Sequence, residues 1–327
     1  MAVMTMREAI SQALWEEMER DERVFILGEE VGVWGGTYAV TKGFYDHFGA
    51  ERVRDTPIAE GVIVGAANGA AMAGMRPVAE VMTINFAFLA MDQIVNHSAK
   101  LEAMFGGQFN VPIVIRTVGG GGRQLGATHS QTPDVVFAHF PGLNVIAPGT
   151  PADAKGLLKS AIRSGQPTLF IEHATLYQSK GDVPEGEHLE PIGVSKIQRP
   201  GRDLTIVTYS KMLQASLQAA EPLAAEGIDA EVVDLRTLRP LDMAPVLESF
   251  RKTNRAVIAE EGWGTYGIGA EVASRIYEQA FDHVDAPIVR VAQKEVGLPY
   301  NRRLEQMALP QVQDVIQAAK GVLGWQK

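Results

Sequence analysis

Apolar residues recur along the chain with two periods, and the periods alternate. Ile10, Ala13, Leu14 and Met18 share one face of a helix running to about Arg20. The preceding Thr5-Met6-Arg7-Glu8 has the order of a capping box. The run Arg23–Leu27, apolar after its first residue, then predicts a buried strand ending at Gly28. The change of period repeats through a small-residue helix over 61–74, a strand over 76–82 and a helix over Ala90–Phe105. Strands are expected at Val111–Ile115, Leu143–Ala147 and Thr168–Ile171, with a helix opened by Thr150-Pro151 and an acid, Asp153, in its first turn. Such alternation predicts an α/β fold, a parallel sheet covered by helices. From about His173 to Arg202 the chain turns polar and rich in Pro and Gly, as a linker does. Alternation then resumes, with strands over 204–209, 230–234, 255–260 and 287–292 and a last helix near 310–322. The expected division is a domain over 1–185, a linker over 186–202 and a second domain over 203–327.

The stretch Arg54–Phe86 is the most informative. A turn, Asp55-Thr56-Pro57, delivers one carboxylate, Glu60, and Gly61–Met75 carries no charge at all. Gly61, Gly65, Gly69 and Ala73 recur every four residues, which on a helix makes one stripe poor in side chains. Glycines weaken a helix, so close approach of another backbone is the expected return. Glu60 at that helix N-terminus is favoured as an anion by the dipole and opposed by burial. It reads either as a capping acid or as a carboxylate tuned for proton transfer. Glu29 and Glu30, after the first buried strand, stand where ligands gather in open parallel sheets, and a solvated acidic turn accounts for them equally well.

A second stretch, 117–134, holds four consecutive glycines and then His129 among Thr128, Ser130 and Gln131. Four glycines exclude regular structure, and no Gly-Lys-Ser/Thr follows to make a Walker loop. A His in a polar loop after a strand can give or take a proton; a plain hydrogen-bonded loop His is the alternative. Trp263-Gly264-Thr265-Tyr266-Gly267-Ile268-Gly269 follows a strand and opens a helix, with glycine spacing that does not match a dinucleotide fingerprint. A tight turn is the expected reading, with anion binding at the helix start as the alternative.

Composition narrows the classes. The chain has 327 residues, 46% hydrophobic and 21% charged, ordinary for a two-domain globular protein. A net charge of −9 gives no basic footprint for nucleic acid, and the absence of Cys removes disulfides, thiolate metal sites and Cys nucleophiles. The start of the chain lacks a signal-peptide pattern and no apolar run suits a membrane span. The expectation is a cytoplasmic protein, or one of an organellar matrix or stroma if processed.

Together these stretches resemble the β subunit of the thiamine-diphosphate-dependent 2-oxo-acid dehydrogenases. The resemblance is carried by RDTPIAE (54–60), GAAMAGMRPVAEVMTINF (69–86), MDQIVNHSAK (91–100), GGQFNVPIVIR (106–116) and RQLGATHSQ (123–131). It continues in PGLNVIAPGTPADAKGLLKSAIR (141–163), DLRTLRPLD (234–242) and APIVRVAQKEVGLPY (286–300), so nearly the whole chain is covered. It implies a pyrimidine-type thiamine-diphosphate-binding parallel-sheet domain followed by a transketolase C-terminal-like α/β domain. It implies that Glu60 hydrogen-bonds the pyrimidine nitrogen of the cofactor and that Phe86 packs on the ring. His129 is implied in passing the acyl group to a lipoyl arm. A structural potassium ion is implied at Ile113, Ala161, Ile162, Ser164 and Gln166, where relatives often carry an acid and an Asn at the last two positions. No GDG stands anywhere in the chain. The resemblance therefore implies that magnesium and the diphosphate are held by a separate α subunit in an α2β2 heterotetramer, with helix 61–74 as a subunit contact and the second domain serving assembly and docking to a lipoyl-bearing dihydrolipoyl acyltransferase core. Pyruvate is the expected substrate from the INF and HSQ contexts. FGG (105–107) and RTVGGGG (116–122) also resemble acetoin dehydrogenase, and a branched-chain enzyme, a non-catalytic scaffold subunit and a Rossmann-type dehydrogenase are the alternatives.

Overall fold

The computed structural model describes residues 1–324; residues 325–327 of the expected second domain lie outside them. The chain forms two compact units. One comprises Met1–Gly119 with Val136–Ile192, the other Gly120–Val135 with the chain from Gly193 onward.

In the first unit the alternation becomes a parallel sheet. Its order is Asn144–Ile146, Thr168–His173, Val114–Gly119, Arg76–Val81, Val24–Gly28, Val53–Asp55. Val114–Gly119 and Thr168–His173 are buried along their whole length, as parallel strands covered on both faces are. The helix Met6–Arg20 starts on the expected capping box, with Thr5 Oγ1 accepting from Glu8 N at 3.2 Å and Glu8 Oε2 accepting from Thr5 N at 2.7 Å. Met6, Ile10 and Leu14 join Leu157, Leu158 and Ile162 of the helix Pro151–Arg163 in one core. The same two helices also meet through charges. Buried Lys155 and Lys159 reach Glu16 at 2.8 and 2.7 Å, and Arg163 reaches Glu17 at 2.6 Å.

Three expectations shift here. The strand expected at Val111–Ile115 begins at Val114 and runs to Gly119. The small-residue helix spans Glu60–Met72, with Ala73 as its C-cap. The Ala90–Phe105 helix is broken: Gln93–Ser98 is a widened π turn and Leu101–Met104 a separate short helix. The carbonyl of Gln93 turns instead to Asn68 Nδ2 at 2.9 Å and Ser98 Oγ at 3.0 Å.

The second unit is built on a five-stranded sheet in the order Val289–Gln293, Ala256–Trp263, Leu204–Thr208, Ala230–Asp234, Lys196–Arg199. All neighbours are parallel except the last pair. Residues 196–199, expected within the 186–202 linker, are thus an antiparallel edge strand. Basic, largely solvent-facing edges are what keep such strands from pairing with another chain, and they read as linker by composition. Ile206, Val232 and Val257 of the inner strands form the core of this unit with Leu213 and with Val315 and Ala319 of the helix Val312–Leu323. Among the described residues no helix is long and apolar enough to cross a membrane.

Three central strands of the first unit carry charges. Arg116 is 2% exposed and forks onto Glu172, Nε to Oε1 at 2.6 Å and Nη2 to Oε2 at 2.9 Å, while its Nη1 donates to Glu80 Oε2 at 2.7 Å. Tyr177 donates to Glu172 Oε2 at 2.5 Å. Burial opposes the charge on Arg116, but Glu172 and Glu80 outweigh it and raise its pKa. Removing one partner of a buried ion network leaves the others uncompensated. Arg116→Ala is therefore expected to destabilise the chain by about 3–5 kcal/mol in urea unfolding. A loss below about 1 kcal/mol would place the network among surface-like ion pairs.

Candidate functional site

The carboxyl ends of neighbouring strands in the first unit deliver the residues of interest. Val53–Asp55 leads through a turn to Glu60, Val24–Gly28 leads directly to Glu29, and Arg76–Val81 leads to the short helix Ile84–Ala87 bearing Asn85 and Phe86. Asp55 Oδ1 accepts from Gly32 N at 2.6 Å and so ties the segment after Glu29 to the turn before Glu60. Glu60 is the first residue of its helix and 5% exposed; the N-cap, Ala59, has no side-chain cap bond to offer. The helix dipole acts on this carboxylate directly.

Glu29 is the residue that pattern reasoning left undecided, and the structure separates it from its neighbour. Glu29 is buried while Glu30 is exposed with φ +56°. The Oε1 of Glu29 is buried without a hydrogen-bond partner, and burial, then the charges of Glu60 and Glu80, raise its pKa. Asn85 presents a second such atom: its Oδ1 accepts from Thr83 Oγ1 at 3.0 Å and its Nδ2 is buried with no partner. Phe86 beside it is half-buried. Both partnerless atoms follow the carboxyl ends of adjoining strands and have hydrogen-bonding capacity to spare.

The glycine stripe finds partners within its own unit. A Cβ on Gly61 would sit 3.4 Å from Leu89 O, and one on Gly65 3.2 Å from Gln93 Oε1; around Gly69 the space is open. Ile58 and Val62, 79% and 66% exposed, lie on the outer side of this region.

Ile113, Ala161, Ile162, Ser164 and Gln166 fall on the entry to the Val114–Gly119 strand and on the end of the Pro151–Arg163 helix. The main chain supplies the donors available to a cation, since helix-terminal carbonyls carry partial negative charge. Arg76 Nη1 donates to two of them, Ile162 O at 2.7 Å and Ser164 O at 2.9 Å, and Ile113 O accepts from Thr168 N at 2.9 Å. The side chains add no charge: Gln166 Nε2 donates to Glu102 Oε2 at 2.9 Å and Ser164 Oγ accepts from Gln166 N at 3.0 Å. A monovalent ion would have to share these carbonyls with the Arg76 guanidinium, and none of the named side chains is a carboxylate.

His129 belongs to the second unit. Its ring is exposed, with Nδ1 3.0 Å from Thr128 Oγ1. Gly121 within the glycine run and Gly126 after it are tightly packed. A Cβ on Gly121 would meet Leu298 Cδ1 at 2.5 Å, and a Cβ on Gly126, at φ +79°, would meet the Tyr300 ring at 2.4 Å. Gly121 N donates to Glu261 Oε1 at 2.7 Å, and Gly122 N and Gln124 N each donate to Glu305 Oε1 at 3.0 Å. Asp134 closes the segment, buried at 2% exposure against Tyr209. Its pKa is pushed up to about 7 by burial and then by the charge of Glu261.

The Trp263–Gly269 turn is not an anion site. Glu260 Oε1 accepts from Gly269 N at 3.0 Å, and a Cβ on Gly267 or Gly269 would meet that same oxygen at 2.5 or 2.6 Å. The glycines make room for the protein's own carboxylate at the start of the helix Ile268–Ala280. Burial pushes Glu260 up to about 7, against the Gly269 amide and Arg290. The reading of this turn as a dinucleotide site is thereby set aside.

Pattern reasoning missed Arg116, Asp134, Glu261 and Glu305. For Arg116 a signal existed: single charges at 80, 116 and 172 inside apolar strands are tolerable only when they meet. The others lie far apart in sequence and no spacing relates them.

With this geometry in view the relatives are informative. Residues 2–180 match the family "Transketolase, pyrimidine binding domain" and residues 193–315 match "Transketolase, C-terminal domain". A solved structure titled "Split gene transketolase, inactive beta4 tetramer" superposes with a TM-score of 0.80 at 26% identity, covering 99% of both chains. The fold is thus that of the transketolase pyrimidine-binding and C-terminal domains in succession. The chain is also 48% identical over 318 residues to "Pyruvate dehydrogenase E1 component subunit beta" of Rickettsia felis, covering 97% of this chain and 98% of that one. It is 47% identical over 323 residues to the protein of the same name in Rhizobium meliloti, covering 98% of this chain and 70% of that one. The chain belongs to the family of pyruvate dehydrogenase first-component β subunits.

Asp134 and Glu260, two of the raised carboxyls, set a pH dependence. A carboxyl whose folded pKa lies above its unfolded value contributes stability that is present below the unfolded pKa and is lost as pH rises through the folded one. For Asp134 and Glu260 that window runs from the ordinary carboxylate range to about 7. Urea midpoints are expected to fall across it, and Asp134→Asn, which still accepts from Tyr209, is expected to flatten the fall. An unchanged pH profile in that variant would assign the dependence to other groups.

Proposed function

We propose that this chain is the β half of a pyruvate dehydrogenase first component, sharing thiamine diphosphate with an α subunit. One observation carries the reading: Glu60 is buried at the first position of its helix, at the same strand ends as the partnerless Glu29 Oε1 and Asn85 Nδ2. These residues fit a flat ring with polar edges, which would bring partners to atoms that have none. Thiamine diphosphate, when bound, supplies the electron sink that lets a 2-oxo acid lose carbon dioxide.

This chain's residues orient and protonate. Glu60 would hydrogen-bond the pyrimidine ring nitrogen from the first turn of its helix. Phe86 supplies an apolar face for the ring and keeps water from it. His129 donates the proton taken up when the lipoyl disulfide opens, its ring steadied by Thr128. The reading assigns magnesium and the diphosphate to the α subunit, in an α2β2 heterotetramer that docks on a lipoyl-bearing acyltransferase core. It assigns potassium to the carbonyls of Ile113, Ala161 and Ile162 with Ser164 and Gln166. A cytoplasmic or organellar setting suits both the bacterial and the mitochondrial relatives.

A shared site predicts an inert half. The split transketolase relative is described as an inactive β4 tetramer, which supports the same expectation for the present chain alone. Calorimetry on the purified chain is expected to find no tight thiamine diphosphate binding; a tight complex would count against sharing. With the α partner present, Glu60→Gln is expected to slow pyruvate decarboxylation at least about a hundredfold, the lower range for positioned acid–base groups. An undiminished rate would make the chain a scaffold. In a panel of pyruvate, branched-chain 2-oxo acids and acetoin, pyruvate is expected to react fastest, and a different winner would reassign the substrate.

A further inference from the structure

The segment Gly120–Val135 has no regular structure before the helix that starts at Asp134, yet it is held at both ends from within its own unit. Gly120, Gly122 and Gln124 have positive φ, and the amides of Gly122 and Gln124 converge on one acceptor. Concavities of that kind bind anions. Here two side chains occupy them. Glu305, 1% exposed, takes Gly122 N and Gln124 N, and Glu261, 4% exposed, takes Gly121 N and lies 3.5 Å from Thr132 Oγ1. Lys211 Nζ balances Glu261 at 2.8 Å. His129 sits in the span between these anchors, and the Gly297 backbone approaches Ala127 closely enough that a Cβ there would stand 3.1 Å from the Ala127 Cβ.

We infer that Glu261 and Glu305 are positioning residues for His129. They act through main-chain amides, fixing the conformation in which the imidazole is presented, and they touch neither cofactor nor substrate. The physical reason is directional. A carboxylate accepts two or three N–H bonds at once, and a neutral amide side chain offers one oxygen and turns donors toward the same N–H groups. The inference rests on the reading of His129 as the proton donor in acyl transfer.

The test compares two rates in the reconstituted α/β enzyme with pyruvate: acetylation of a free lipoyl domain, and turnover with ferricyanide as artificial acceptor. Their ratio is blind to the amount of folded enzyme, which a merely structural role would change. Glu305→Gln and Glu261→Gln are each expected to lower the lipoyl rate about tenfold to a hundredfold, the scale of small misplacements of a reacting group, with the ferricyanide rate within about twofold. His129→Ala is the reference and is expected to show the same selective loss. If His129→Ala is selective and the Glu variants lose both rates in proportion, or neither, the positioning role is overturned while the His129 reading stands. If His129→Ala itself is not selective, the His129 reading fails and takes this inference with it. Should Glu305→Gln not assemble, Glu305→Asp keeps the charge with shorter reach and is read by the same ratio.

Discussion

A single guanidinium buried in the first sheet lets two acids stand on its central strands. Glu80 and Glu172 are the carboxylate partners of Arg116, and between them they take its donors. Glu29 stands outside that network and feels burial and then the like charges of Glu60 and Glu80. At an effective dielectric of about 20, one unit charge at 4 Å is worth about 4 kcal/mol, so the place of the cation weighs heavily on which acids hold their charge. Without Arg116 the strands could not carry Glu80 and Glu172 in an otherwise apolar layer. With it, the sheet keeps both acids paired, while Glu29 lies outside the network with Oε1 buried and partnerless.

The second unit solves a related problem with opposite means. Its glycine-rich segment has backbone amides to satisfy and no ladder to satisfy them, and buried Glu261 and Glu305 provide the acceptors. Gly121 and Gly126 are therefore packing requirements. Leu298 and Tyr300 close on Gly121 and Gly126 at distances that leave no space for a side chain. A segment that looks loose in sequence is tied down at both ends of His129.

Much of this was legible beforehand, and the parts that were not share a cause. Hydrophobic period gave the strands at 24–28, 76–81, 204–208 and 230–234 and the capping box at Thr5, because each depends on neighbours within a few residues. Glu60 stood out for its place before an uncharged glycine helix. The register of 114–119 and the break in the 90–105 helix were missed because hydrogen bonds from other elements decide them, Asn68 to Gln93 O among them. The partners of Arg116, the anchors of 120–135 and the edge strand at 196–199 come together only through tertiary pairing, where a single sequence carries no spacing to read. Polar composition marks 186–202 as a linker, and only the paired backbone shows that 196–199 is an edge strand.

The carboxylate of Glu260 at the mouth of the Ile268–Ala280 helix carries one more consequence. A side chain tethered nine residues from the amide it caps competes as an intramolecular occupant, at an effective concentration of about the millimolar order or above. A free phosphate would have to evict that side chain from the Gly269 amide. The glycine pattern that imitates a nucleotide fold is thus self-quenched: the pole that would attract a foreign anion is already neutralised by the protein itself.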